Sequence, residues 1–203
     1  MKKIVIFALM LLVALGLFAQ TAKEEAIESL DTAKAMLAKD SLTEAMDEIN
    51  YAVSKISEIQ AEELIKFIPD APEGFTLEEK DSQSMGQAGA IVGSANSIIA
   101  TASYTKDDTD IDLTITVGGV LGKTGGLMGM ASMFGGSGMG SKTVRVSGYT
   151  GNQEYDKGDD SGTLTVQVGD NITVMVEGDE IEDADILKTF AELIDLPLLE
   201  RSF

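Results

Sequence analysis

The amino-acid sequence predicts an α+β protein: an N-terminal helical hairpin, then an antiparallel sheet covered by a crossover segment and a C-terminal helix. Three observations lead there. Apolar residues recur every three or four positions up to residue 68, and every second position from Ile98 onward. The punctuated stretch Pro69-Asp70-Ala71-Pro72-Glu73-Gly74 separates the two regimes and reads as a linker. A last helical stripe of Ile186, Leu187, Phe190, Ala191 and Ile194 follows the strands.

The first segment, residues 1–19, reads as a secretory signal. Lys2 and Lys3 precede an apolar run from Ile4 to Phe18, and the small residue Ala19 stands at the expected cleavage point. A spanning helix needs about 20 apolar residues, and this run is shorter. No cysteine is present to carry a lipid. The expectation is a periplasmic or secreted protein with no transmembrane span after cleavage.

Residues 20–68 form the expected helical hairpin. Ala26, Ile27, Leu30, Ala33 and Leu37 make one apolar stripe over 21–38. Lys39-Asp40 breaks it, and Ser41-Leu42-Thr43-Glu44 matches a capping box. The second helix carries Ala45, Ile49, Ala52, Val53, Ile56 and Ile59 and extends as far as Phe67, before Pro69. The small-residue spacing resembles a single tetratricopeptide-type unit, which cannot bury a core alone.

The sheet domain spans 75–203. Ile98, Ala100, Ala102 and Tyr104 alternate, then Ile111, Leu113, Ile115 and Val117 after a turn at 107–109. Val144 and Val146 begin another strand, with a hairpin turn expected at Tyr149-Thr150-Gly151-Asn152. Leu164, Val166 and Val168 turn at Gly169-Asp170 into Ile172, Val174 and Val176. One apolar face per strand implies an antiparallel sheet covered on one side. Asp183 is placed to cap the closing helix.

Pro72-x-Gly74-Phe75 entering the sheet, Val174-x-Val176-x-Gly178, and the closing helix to Asp195-Leu196 make residues 69–199 resemble a group of uncharacterised exported bacterial proteins. The element order is loosely similar to the Mog1/PsbP-like α+β domain. That resemblance implies the fold and carries no catalytic residues over.

Composition narrows the chemistry. The chain has no histidine and no cysteine, so it has no imidazole base, thiolate nucleophile, zinc thiolate site or disulfide. Its formal charge is −19, and −21 once Lys2 and Lys3 leave with the signal. Such a surface repels nucleic acid and anionic lipid, and favours divalent cations or a basic partner. A carboxylate hydrolase is a distant reading, because the chain has no tryptophan to build a sugar cleft. The stretch Gly118-Gly119-Val120-Leu121-Gly122-Lys123-Thr124 imitates a phosphate-binding loop but is one residue short.

Two segments stand out as candidate sites. Residues 121–140 combine eight glycines with Leu127, Met128, Met130, Met133 and Phe134, and carry only Lys123 as a charge. Permissive backbone and adaptable apolar side chains suit contact with an envelope protein or an apolar ligand, and are compatible with peripheral membrane contact. Read structurally, the same segment is the crossover that covers one side of the sheet. Asp107, Asp108, Asp110 and Asp112 offer hard oxygen ligands suited to calcium. Read structurally, they are solvated turn carboxylates. The functional expectation is a non-enzymatic binding or accessory protein of the envelope. The alternative is a calcium-binding structural protein.

Overall fold

In a computed structural model of the chain, the structure describes residues 21–85, 97–118 and 142–203. Two compact units result, Met1–Glu62 and Glu63–Phe203. The first is a helical pair, α1 (residues 21–37) and α2 (Leu42–Leu64), extended by a 3-10 turn at Ile65–Phe67. Asp40 reverses the chain between the helices in a left-handed conformation, φ 60°.

The seam between α1 and α2 is built from small residues. Ala22, Ala26, Ser29 and Ala33 of α1 are buried, as are Ala45 and Ala52 of α2. The larger apolar residues Ile27, Leu30 and Leu37 share the periodic stripe of α1 but remain exposed. Side chains without bulk let two backbones approach closely, so the alanines take the seam and the larger chains fall beside it. On one flank the helices are tied by polar groups. Ser29 donates to Glu48 at 2.6 Å, Tyr51 donates to Glu25 at 2.9 Å, and Lys55 pairs with Glu25 and Glu58 at 3.1 Å each.

The second unit is a seven-stranded antiparallel sheet with a C-terminal helical cover. Its strands are β1 (Thr76–Ser84), β2 (Ile98–Lys106), β3 (Thr109–Val117), β4 (Lys142–Val146), β5 (Tyr149–Asp156), β6 (Ser161–Val168) and β7 (Ile172–Asp179). They lie in the order β1-β2-β3-β7-β6-β5-β4, so β1 and β4 are the edges. The inner strands β2, β3, β6 and β7 present alternate residues to one buried face. Tyr104, Leu113, Ile115, Leu164, Val166, Val174 and Val176 are fully buried there.

Two short helices close that face. Helix α3 (Asp185–Glu192) buries Leu187, Phe190 and Ala191. Phe190 meets Phe75 and Tyr104, each at a ring separation of 5.0 Å. Such edge and tilted contacts suit the ring quadrupoles. Helix α4 (Leu196–Ser202) buries Leu196 and Leu199. Asp195 caps it by accepting from Leu198 N at 3.0 Å, and Pro197 stands in its first turn, where a missing N–H costs nothing. Asp183 accepts from Asp185 N at 2.9 Å at the start of α3.

The linker is fastened to the sheet. Tyr104 donates to Pro69 O at 2.8 Å and Lys80 Nζ to Ile68 O at 3.0 Å. One turn differs from the sequence expectation. The β4–β5 reversal uses Ser147 and Gly148, at φ 49° and 94°, so Tyr149–Asn152 lie in β5 instead of forming the turn. Two consecutive positive φ angles match the twist of a two-residue hairpin.

Candidate functional site

At one end of the sheet, three turns and the start of β1 enclose a cleft of about 760 Å³. Its walls come from Lys106–Thr109 of the β2–β3 turn, Asp160 before β6, and the loop 180–183 that joins β7 to α3. Phe75 and Ile186 complete it. The volume falls in the range of small-ligand sites, ~300–1,000 Å³.

Two glycines set the depth of this end. Gly178 of β7 lies opposite Gly162 of β6 and Ile111 of β3 in register. A Cβ on Gly178 would come within 2.9 Å of both Ile181 Cγ2 and Leu187 Cδ2. A Cβ on Gly162 would meet Glu154 O at 2.9 Å. The bare backbone therefore lets Ile181 and Leu187 seat directly on the sheet, and Ile181 is buried.

The loop 180–184 is held by side-chain donors from β3 and β5 and by a backbone acceptor in the β5–β6 turn. Thr109 Oγ1 donates to Glu180 O at 2.9 Å. The Tyr155 hydroxyl lies 3.0 Å from Ile181 O and 3.3 Å from Glu182 O. Gln153 Nε2 donates to Ala184 O at 2.6 Å, and Ile181 N donates to Asp160 O at 2.8 Å. Gln153 is buried, so its amide is spent on positioning this loop. Asp107, Asp160 and Glu180 all adopt left-handed backbone, at φ 54°, 46° and 53°. Strained residues of this kind persist where surrounding structure over-determines them.

The lining is electrostatically one-sided. Asp107, Asp108, Asp160, Glu180, Glu182 and Asp183 supply six carboxylates against the single ammonium of Lys106. Lys106 Nζ stands 5.6 Å from the centre of the Phe75 ring, a cation–π distance. Burial raises the Tyr155 phenol above its usual range, and the charges of Asp160 and Asp183 add to this. The phenol thus stays a hydrogen-bond donor to the loop. The site offers an apolar floor and an acidic rim, suited to a cation with an apolar stem.

The structure does not gather the four aspartates expected to hold calcium. Asp107 and Asp108 stand in the β2–β3 turn at the cleft, while Asp110 and Asp112 are strand residues of β3. Asp112 accepts from Ser103 Oγ at 2.5 Å, its register partner on β2. Asp110 and Asp112 alternate on the exposed face of β3, whereas Asp107 and Asp108 precede the strand. Among the described residues no group of three or more carboxylates is arranged to hold a metal ion. Leu127, Met128, Met130, Met133 and Phe134 lie outside the described residues.

Sequence reasoning missed Phe75, Asp160, Glu180 and Ile181 as neighbours of Asp107. The one signal available was the cluster of turn carboxylates at equivalent strand ends. Among the described residues no helix is long and apolar enough to cross a membrane. Compared with known proteins, the chain matches no family model, no curated protein and no solved structure.

Proposed function

We propose that the protein is an exported, non-enzymatic binding module of the cell envelope, whose cleft receives a basic segment of a protein partner. The observation that carries this reading is the pairing of an apolar floor, Phe75 and Ile186, with a rim of six carboxylates. A lysine or arginine has the matching two parts: a methylene stem for the floor and a charged head for the rim. Lys106, lying over Phe75, makes the same contact within the chain. The net charge, −19 for the whole chain and −21 once Lys2 and Lys3 leave with the signal, speeds encounter with such a partner. Export rests on the signal pattern of residues 1–19.

The test is fluorescence anisotropy with a labelled hexapeptide of alternating lysine and leucine. Saturable binding is expected, with a steep loss as salt rises. The double variant Asp108→Lys, Glu182→Lys should weaken it at least tenfold. Equal binding by that variant would remove the cleft from consideration.

A further inference from the structure

The helical pair presents an apolar face that its own seam does not use. Ile27, Leu30 and Leu37 of α1 are 46–52% exposed, and Leu42, Met46, Val53 and Ile56 of α2 are 42–68% exposed. The spacings 27-30-37 and 42-46-53-56 each trace one stripe on a helix. Both stripes lie on the same flank of the pair. In α1 the seam runs through Ala26 and Ala33, with Glu25 to one side and Leu30 to the other. In α2 it runs through Ala45 and Ala52, with Tyr51 and Lys55 to one side and Leu42, Met46 and Val53 to the other. Glu25 bonds Tyr51 and Lys55 across the seam, so the polar flanks coincide. The apolar flanks therefore coincide as well.

Together these seven side chains expose on the order of 700 Å², which exceeds the ~300–600 Å² of the largest patch on an ordinary monomer. It approaches the ~800 Å² that each partner buries in a standard interface. The described remainder of the chain offers nothing to match it. Helices α3 and α4 have their apolar sides buried, and Leu193 and Leu198 are the only large hydrophobics exposed among the described residues of the second unit. The one apolar surface of equal size and helical spacing among the described residues is the same face of another copy.

We infer that this face pairs with a second copy of the chain, and that two hairpins combine across a two-fold axis into a four-helix bundle. A two-fold interface uses one self-complementary patch. The arrangement covers the leucine, isoleucine and methionine side chains that an alanine seam leaves outside. It also turns the flank of Glu25, Glu48 and Glu58 outward, while Glu24, Glu28 and Asp31, which stand beside Ile27, fall at the margin of the face.

Sedimentation velocity on the full chain, from low to high micromolar concentration, tests this. A dimer is expected. Leu30→Glu and Val53→Glu should each yield a monomer whose circular dichroism matches the parent and whose melting temperature no longer rises with protein concentration. Glu58→Ala, on the opposite flank, should leave the dimer intact. Should the glutamate variants fail to fold, Leu30→Ser and Val53→Ser replace them, with at least a tenfold rise in the dimer dissociation constant expected. A monomer at every concentration overturns the inference, including one that binds neutral phosphatidylcholine vesicles through this face instead. So does a dimer that survives the Leu30 and Val53 substitutions.

Discussion

Gly178 and Ile181 approach so closely that a Cβ on the glycine would lie 2.9 Å from Ile181 Cγ2. The same Cβ would meet Leu187 Cδ2 at 2.9 Å and Ile111 Cδ1 at 3.0 Å. Three side-chain ends would have to yield at once. Gly178→Ala is expected to cost about 1–3 kcal/mol by overpacking, read from urea denaturation. It should also lift Ile181 from the sheet and weaken binding of the basic hexapeptide.

Gly148 gives the contrasting case. Its φ is 94°, yet a Cβ added there would have no neighbour within 4 Å and would point into open space. Gly148→Ala isolates the backbone cost of a left-handed residue, expected at about 1–2 kcal/mol. The cleft is formed by other turns, so hexapeptide affinity should not change. A variant as stable as the parent would show that the β4–β5 turn relaxes.

Tyr104 ties the linker to the sheet through its bond to Pro69 O. Tyr104→Phe removes the donor and is expected to cost about 1 kcal/mol at neutral pH. The phenol is pushed up to about 12 by burial, with the charge of Asp70 adding to it. A raised folded-state value means that stability is intact below the ordinary value near 10 and is lost as pH climbs towards 12. The loss of stability between those limits should be steeper for the parent than for the phenylalanine variant.

Glu177 makes the opposite kind of prediction. Burial raises its carboxyl above the usual range, and Asp112 and Asp179 add repulsion. The folded chain therefore favours the protonated form, so this residue's contribution is most favourable below about 4.5 and fades as pH rises through its raised value. Glu177→Gln should stabilise the protein at neutral pH. The side chain is exposed on β7, so solvent screening should keep the gain below about 1 kcal/mol. A loss of stability would show that the carboxylate has a favourable partner.

The strands that sequence reasoning found are those with one rich apolar face. β2, β3, β6 and β7 alternate because Ile, Leu, Val and Ala occupy most of the buried positions. β1, Thr-Leu-Glu-Glu-Lys-Asp-Ser-Gln-Ser, is a charged edge strand and leaves no period to detect. β5 hides for another reason: its buried positions are Gly151 and Gln153, which pattern as a turn. Helix α4 was signalled only by Asp195 and Pro197 at its start. In the hairpin, spacing identified the apolar residues of α1 but not their division into a buried alanine seam and an exposed leucine flank. The cleft was least legible, since Phe75, Asp108, Asp160 and Glu182 converge only through strand order.

The order β1-β2-β3-β7-β6-β5-β4 has a kinetic consequence. Every neighbouring pair but one joins strands consecutive in the chain. The exception, β3 against β7, requires closing the chain from Val117 to Ile172. Hairpins form on a microsecond scale, whereas distant closure carries a larger entropy loss before any contact rewards it. Joining the two meanders should therefore limit the folding rate. Leu113→Ala, in the joining ladder, should slow refolding, while Gly148→Ala, in a local hairpin at the edge, should mainly speed unfolding.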